Sequence, residues 1–414
     1  MPSPLLPSEC RPDQAGFLIN PNAKRFAPWS KRQDAVLNRE GFRQAEAVIR
    51  QWPGYVSTPL LSLDALAKSM GIDRVWYKNE TERFDLKSFK ALGGAYAIAE
   101  LIMREAAKQQ KATPVSSQQL FAGHYRDLTS SITVTSATDG NHGRSVAWGA
   151  ELFGCKAILY IHATVSEGRK RAMEALGAEV RRIDGNYDDS VRQCAADAAD
   201  HGWTVISDTS YPGYTEIPKD VMQGYGVMAT EAIAQLPAGE QPTHVFVQGG
   251  VGGMAAAVAA HLAWQWEAGR PKLVMVEPVN AACLMASAEA GGPAVIEGDL
   301  DTVMAGLSCG EPSQLAWDVL DEATDAFLAI PDHAAEATMR LLADSERGDP
   351  VIVGGESGVA GLAGAITVAS TEGLRQQLGL DQQSRVLVFG TEGATDPDVY
   401  REIVGRSALD VLGH

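Results

Sequence analysis

From about residue 62 onward, short apolar runs alternate with longer alanine-rich stretches whose apolar residues recur at helical spacing. The runs at 75–77, 132–135, 157–161, 180–183, 204–206, 244–247, 273–276 and 386–389 have strand length and are apolar throughout. Parallel strands buried on both faces read this way, whereas a strand with one wet face alternates apolar and polar. The stretches at 95–109, 142–153, 167–176, 217–235, 254–267 and 360–376 predict helices. Strand–helix–strand repetition predicts an α/β architecture of parallel sheets covered on both faces. Eight or more such units exceed one comfortable sheet. Two doubly wound domains are therefore expected: a larger one of residues 1–92 plus 226–414, and a smaller one, 93–225, inserted within it. The first 55 residues, with Pro2, Pro4, Pro7, Pro12, Pro21 and Pro28, are expected to begin irregularly. Residues 280–315, with Gly291, Gly292, Pro293, Gly306, Gly310 and Pro312, are expected to be the least regular part, a long loop that is functional or poorly ordered.

Composition narrows the function classes. The 414 residues are 45% hydrophobic and 21% charged, as in an ordinary soluble enzyme with a substantial core. A net charge of -17 without a basic patch argues against nucleic acid and against anionic membrane surfaces. No apolar run reaches membrane-spanning length, and MPSPLLPSEC lacks a basic stretch followed by an apolar one. A cytoplasmic protein acting on a small molecule is expected. Cys10, Cys155, Cys194, Cys283 and Cys309 show no CxxC spacing, and His124, His162, His244, His261 and His333 show no ligand spacing, so no metal is expected.

The segment SFKALGGAYA, residues 88–97, places Lys90 between an aromatic residue and a glycine pair at a predicted helix start. Apolar neighbours and the positive end of a helix favour the neutral amine that covalent chemistry needs. A Schiff base to an aldehyde cofactor is the common use of such a lysine. Read alone, the segment favours a solvated lysine on a surface helix. A second segment changes that balance. Residues 248–253 read QGGVGG, after the strand HVFV and before the helix MAAAVAAHLAWQW. Gly249, Gly250, Val251, Gly252 and Gly253 let the backbone turn closely, and the first helical N–H groups then point outward as a phosphate site. The spacing fits neither the dinucleotide fingerprint nor a P-loop. One phosphate site and one reactive lysine point to pyridoxal 5'-phosphate.

A third segment, SATDGNHG at 136–143, follows the strand ITVT and clusters hydroxyls, an amide and helix-start N–H groups. Such a cluster suits a carboxylate or an anionic ring oxygen. The ordered set KNE (78–80), SFK (88–90), SATDGNHG, QGGVGG and TEGATD (391–396) resembles the fold-type II pyridoxal-phosphate enzymes. This tryptophan-synthase β family includes threonine dehydratase and cysteine synthase, and the resemblance covers about residues 55–400. Threonine dehydratases usually carry SFKLRGA and S-x-GNH; here Lys90 precedes ALGGAY, and the loop is lengthened by an acid, Asp139. With DTSYPGYTEIP at 208–218, this variant is similar to the diaminopropionate ammonia-lyases. The resemblance implies α,β-elimination of D- and L-2,3-diaminopropionate to pyruvate and two ammonia, by a homodimer. A serine or threonine dehydratase of the same fold, or a non-catalytic ligand-binding protein, are the alternatives.

The resemblance also implies roles. Lys90 holds the cofactor and takes the Cα proton of the L isomer. A D substrate presents that proton on the opposite face, so Asp139 is the expected second base; the alternative is an Asp-Gly turn or helix cap. Asn141 is expected at the cofactor's ring oxygen and Thr391 at its pyridine nitrogen. Ser136, Thr138 and His142 are candidates for the substrate carboxylate, His142 being equally readable as a packed structural histidine. Asp208, just after the strand TVIS, is a candidate partner for the leaving β-amine, because an ammonium calls for a carboxylate; the alternative is a loop-start aspartate capping a turn. Tyr214 and Glu216 are weaker candidates, and Glu392 and Asp396 carry no assigned role.

Overall fold

The fold is described from a computed structural model, for residues 16–110, 115–138, 140–344 and 348–413. Eleven strands follow in chain order: β1 Gly16–Ile19, β2 Leu60–Ser62, β3 Arg74–Asn79, β4 Thr133–Ala137, β5 Lys156–Ile161, β6 Glu179–Arg182, β7 Thr204–Val205, β8 His244–Gln248, β9 Lys272–Pro278, β10 Ala326–Ile330 and β11 Arg385–Gly390. The chain divides into two units. One comprises Met1–Val36, Ser57–Ser88 and Met228–His414; the other comprises Leu37–Val56 and Phe89–Val227.

The first unit is built on a seven-stranded sheet of order β1-β10-β9-β8-β11-β3-β2. Its five inner strands run parallel, and the edge strands β1 and β2 pair antiparallel. Both edges arise from sequence without a strong apolar run, GFLI and LLS, and neither was expected. β10 was also missed, although AFLAI is fully buried. The proline-rich start therefore settles into structure by Gly16, with helices at Lys31–Val36 and Arg39–Ile49. The expected helix 360–376 is two helices, Ala360–Ser370 and Glu372–Leu378, broken at the extended residue Thr371. Every described residue of Ala360–Ala369 is buried, and small side chains let this helix lie close on the sheet.

The second unit carries an all-parallel sheet of order β6-β5-β4-β7. Its helices include Lys90–Gln110, Asn141–Phe153, Glu167–Glu174 and Tyr187–His201. Lys90 opens the first of these, five residues before the expected start, because the Gly93–Gly94 pair is helical rather than a break. The α/β class with parallel sheets is thus observed in both units.

His244 opens β8 in the first unit and is buried. Its Nε2 donates to the Leu378 carbonyl at 3.0 Å, and its Nδ1 lies 2.8 Å from the Thr243 hydroxyl. Burial pushes its pKa down to about 4, against the opposing pull of the Leu378 carbonyl. An unfolded histidine titrates near 6.5, so the unfolded chain binds this proton first as pH falls. The histidine's share of stability is intact above about pH 6.5 and is lost toward about pH 4, by about 3 kcal/mol. His244→Gln is expected to remove that much of the acid-induced loss in urea unfolding; an unchanged acid limb would contradict it.

Candidate active site

The expected site residues fall in two groups, one in each unit. In the second unit, Lys90 starts its helix against the buried ring of Tyr225. The ammonium lies 5.5 Å from the Phe89 ring centroid and 5.7 Å from that of Tyr225, within cation–π range. Gly93 makes this possible. A Cβ there would sit 2.3 Å from Cε1 of Tyr225, so any side chain would drive the ring and the helix apart. The sequence difference after Lys90, ALGGAY, is therefore a packing requirement.

Lys90 Nζ donates to Asp208 Oδ2 in a short, half-buried ion pair. Burial alone would raise the pKa of Asp208, but the charges of Lys90 and His142 outweigh it and hold the carboxyl well below its usual range. Asp208 is thus an anion throughout the physiological range. His142 Nε2 lies 2.9 Å from the Ile206 carbonyl, which can only accept, so Nε2 carries the hydrogen. Nδ1 then sits 3.8 Å from Asp208 Oδ2. Tyr214 braces the same turn: its hydroxyl donates to the Val205 carbonyl at 2.8 Å and accepts from the Ser207 N–H at 3.0 Å. Its role is to hold the Asp208 turn, while Glu216 is exposed at the start of the helix Glu216–Gln235.

The SATDGNHG loop joins β4 to the helix Asn141–Phe153. Thr138 Oγ1 accepts from the N–H groups of Gly140 at 3.1 Å and Gly143 at 3.0 Å. Its lone pairs are thereby engaged inside the loop, leaving only its O–H to offer. Ser136 is buried, its hydroxyl 3.2 Å from the Ala137 carbonyl. Asn141 is half-buried at the first turn of the helix. Asp139 lies outside the described residues.

In the first unit, β8 runs into the glycine loop and the helix Gly253–Trp266. Gly252 caps that helix at φ +95°, a left-handed conformation that costs a side-chain-bearing residue energy. A Cβ at Gly249 would lie 2.7 Å from Leu284 Cδ1, so the loop is packed from behind as well. The first-turn N–H groups have no upstream carbonyl and form an anion cradle. Thr391 is buried just beyond β11. Gln248, the last residue of β8, donates from Nε2 to Thr391 Oγ1 at 2.7 Å. The sequence reading passed over Gln248, although it is the first letter of QGGVGG.

The two acids of TEGATD receive structural roles. Glu392 Oε1 accepts from the Ser357 N–H at 3.0 Å, its backbone carbonyl accepts from the Gly355 N–H, and Asp396 caps the helix Pro397–Val404. The KNE segment belongs to a buried ionic cluster. Lys78 Nζ lies 2.7 Å from Glu231 Oε2; Arg83 reaches Glu80 at 2.8 Å and Glu231 at 2.7 Å. Burial works against the Glu231 carboxylate, yet Arg83 and Lys78 hold its pKa down to about 2. Directly after Arg83, the non-glycine residues Phe84, Asp85 and Lys87 all have positive φ, a strain of about 1–3 kcal/mol each. The cluster anchors the start of that strained turn. Among the described residues Cys155, Cys194, Cys283 and Cys309 form no disulfide. Among the described residues no group of His, Cys, Asp and Glu could hold a metal ion.

One unit holds a helix-start lysine beside a carboxylate; the other holds a glycine loop at a helix start and a buried threonine after its last strand. The chain belongs to the family of pyridoxal-phosphate dependent enzymes, whose family model matches residues 52–392. It is 40% identical to diaminopropionate ammonia-lyase of Escherichia coli strain K12 over 363 residues, 86% of this chain and 89% of the relative. A crystal structure of Escherichia coli diaminopropionate ammonia lyase in complex with D-serine matches it with a TM-score of 0.85 at 36% identity, covering 96% of this chain and 98% of that one. Another, in complex with an aminoacrylate-PLP azomethine reaction intermediate, matches with a TM-score of 0.80 at 36% identity, covering 94% and 97%.

Gly252→Ala is expected to lower stability by about 1–2 kcal/mol, since alanine is strained at this φ and Leu320 Cδ1 stands 2.9 Å from the added carbon. It should also weaken the binding of pyridoxal 5'-phosphate. A urea titration with and without cofactor checks both; a neutral substitution would contradict the close-packed cradle.

Proposed function

We propose that this enzyme is a pyridoxal-phosphate dependent carbon–nitrogen lyase that converts D- and L-2,3-diaminopropionate to pyruvate and two ammonia by α,β-elimination. The observation that carries the reading is the ion pair of Lys90 with Asp208 at the start of the helix. The likeness to diaminopropionate ammonia-lyases over most of the chain supports it.

The residues present fit the cofactor. The cradle at Gly249, Gly250, Val251, Gly252 and Gly253 closes on any Cβ at Gly249 and offers first-turn N–H groups to a phosphate. The buried Thr391 hydroxyl and Asn141 suit the ring nitrogen and ring oxygen, and Lys90 supplies the amine for the aldehyde. When bound, the cofactor supplies a conjugated system that takes up the electron pair left at the substrate's Cα. Lys90 Nζ, released by the incoming substrate amine, takes the Cα proton of the L isomer. The Asp139 carboxylate takes that of the D isomer from the opposite face. Ser136, the O–H of Thr138 and the helix-start N–H groups near His142 orient the substrate carboxylate. Asp208 pairs with the β-ammonium group and keeps it in place as the carbon–nitrogen bond breaks. A hydroxyl at Thr391 does not force a proton onto the ring nitrogen, and this favours elimination over transamination. The reading extends to a homodimer, the commonest symmetric assembly, in a reducing cytoplasm. Among the described residues no helix is long and apolar enough to cross a membrane.

Purified enzyme incubated with each diaminopropionate isomer is expected to release pyruvate; none from either isomer ends the assignment. Asp139→Asn should lose D-isomer turnover by about 10²–10⁴-fold and keep much of the L activity. Equal loss on both isomers would refute the two-base reading. Asp208→Asn should lower kcat/KM on diaminopropionate by about 10- to 100-fold, the worth of one charge-assisted hydrogen bond. The loss on D-serine should be smaller, because its leaving hydroxyl carries no charge; equal losses would remove Asp208 from the leaving-group site.

A further inference from the structure

Tyr225 stands on the helix Glu216–Gln235 and is buried. Its ring packs on Phe89, with the centroids 4.6 Å apart, and on the first turn of the Lys90 helix. The end of the ring at that turn is the one that carries the hydroxyl: a Cβ added at Gly93 would stand 2.8 Å from Cζ. Gly93 follows Lys90 by three residues and so shares its helix face. The hydroxyl oxygen is buried, and among the described residues it has no hydrogen-bond partner. A phenol left unpaired out of water costs free energy, and a phenylalanine would fill the same space without that cost. Burial pushes the phenol's pKa up; the charge of Lys90 pulls it back, and that of Asp208 adds to the rise. The unused hydroxyl therefore keeps its proton and faces the Lys90–Asp208 pair.

We infer that Tyr225 is a positioning residue whose hydroxyl holds the Lys90 amine after the substrate has released it from the cofactor. This rests on the proposed function, in which the released Lys90 takes the Cα proton of the L isomer. In the ligand-free protein Asp208 pairs with Lys90. During the reaction Asp208 is engaged by the β-ammonium group of the substrate, and Lys90 then needs another partner. A phenol hydroxyl suits an amine that changes charge, because it can donate to the neutral amine and accept from the ammonium. In the step itself the Cα–H bond breaks and its electron pair passes into the cofactor's conjugated system. An N–H bond forms on Lys90, which becomes an ammonium, and the phenol oxygen accepts from it. The phenol's own proton is not consumed. The D isomer gives its proton to Asp139, so it depends less on this contact.

The test is the Tyr225→Phe holoenzyme, which keeps the ring and removes the oxygen. Proton removal is read by itself as exchange of the Cα hydrogen of L-alanine, which has no β group to lose, into deuterated water, followed by ¹H NMR. That exchange is expected to slow by about 2- to 10-fold, the worth of one hydrogen bond, and kcat on L-diaminopropionate to fall with it while KM changes little. The losses on D-alanine and D-diaminopropionate should be smaller. The urea midpoint of the variant, measured with and without cofactor, should be unchanged or higher, because an unpaired buried hydroxyl has been removed. An unchanged exchange rate on L-alanine, equal losses on the two isomers, or a lowered urea midpoint overturns this inference and leaves the proposed function standing. Wild-type holoenzyme that releases no pyruvate from either diaminopropionate isomer overturns the proposed function and this inference with it.

Discussion

A lysine that must act as an amine sits at the first turn of a helix, pressed against two aromatic rings and held by one carboxylate. The Lys90–Asp208 pair is the interaction on which the proposed chemistry depends. Each partner settles the other's state: Asp208 stays ionised despite burial because Lys90 and His142 face it, and Lys90 has a fixed direction because Asp208 is braced. The brace is local. Tyr214 closes the turn from Val205 to Ser207, and His142 ties the start of the neighbouring helix to Ile206. Gly93 lets the helix approach Tyr225 closely enough for the ammonium to lie near the ring.

The other unit handles charge differently. Its proposed anion site is made of backbone, shaped by glycines and set at a helix start, and would bind without a titrating group. Its buried Thr391 hydroxyl is neutral and accepts from the neutral amide of Gln248. Full charges are kept in the Lys78–Glu80–Arg83–Glu231 cluster, where two cations meet two anions out of water. Breaking such a cluster leaves an unpaired buried charge, so its worth lies in holding one arrangement rather than in net stability.

What the sequence made legible was whatever is written locally. The QGGVGG turn announces itself by its glycine spacing, Lys90 becomes readable only beside it, and the buried parallel strands show as unbroken apolar runs. The edge strands β1 and β2 carried too short a pattern to register, and Thr371 ended a helix that alanine and glycine content had prolonged. Partners distant in sequence were beyond reach: Asp208 could be nominated for an ammonium group, but its pairing with Lys90 spans 118 residues. Glu231 and Gln248 found no place in the reading for the same reason, each meeting its partners through space. Glu392 and Asp396 had no role assigned from sequence; one accepts from the Ser357 N–H and the other caps a helix.

The account comes down to which nitrogen carries the cofactor. Borohydride reduction of the holoenzyme, followed by peptide mass spectrometry, reads this directly. The account predicts the added cofactor mass on the peptide containing Lys90 and on no other lysine. The mass on Lys78 or Lys87, or a fully active protein that carries no cofactor mass at all, would contradict it.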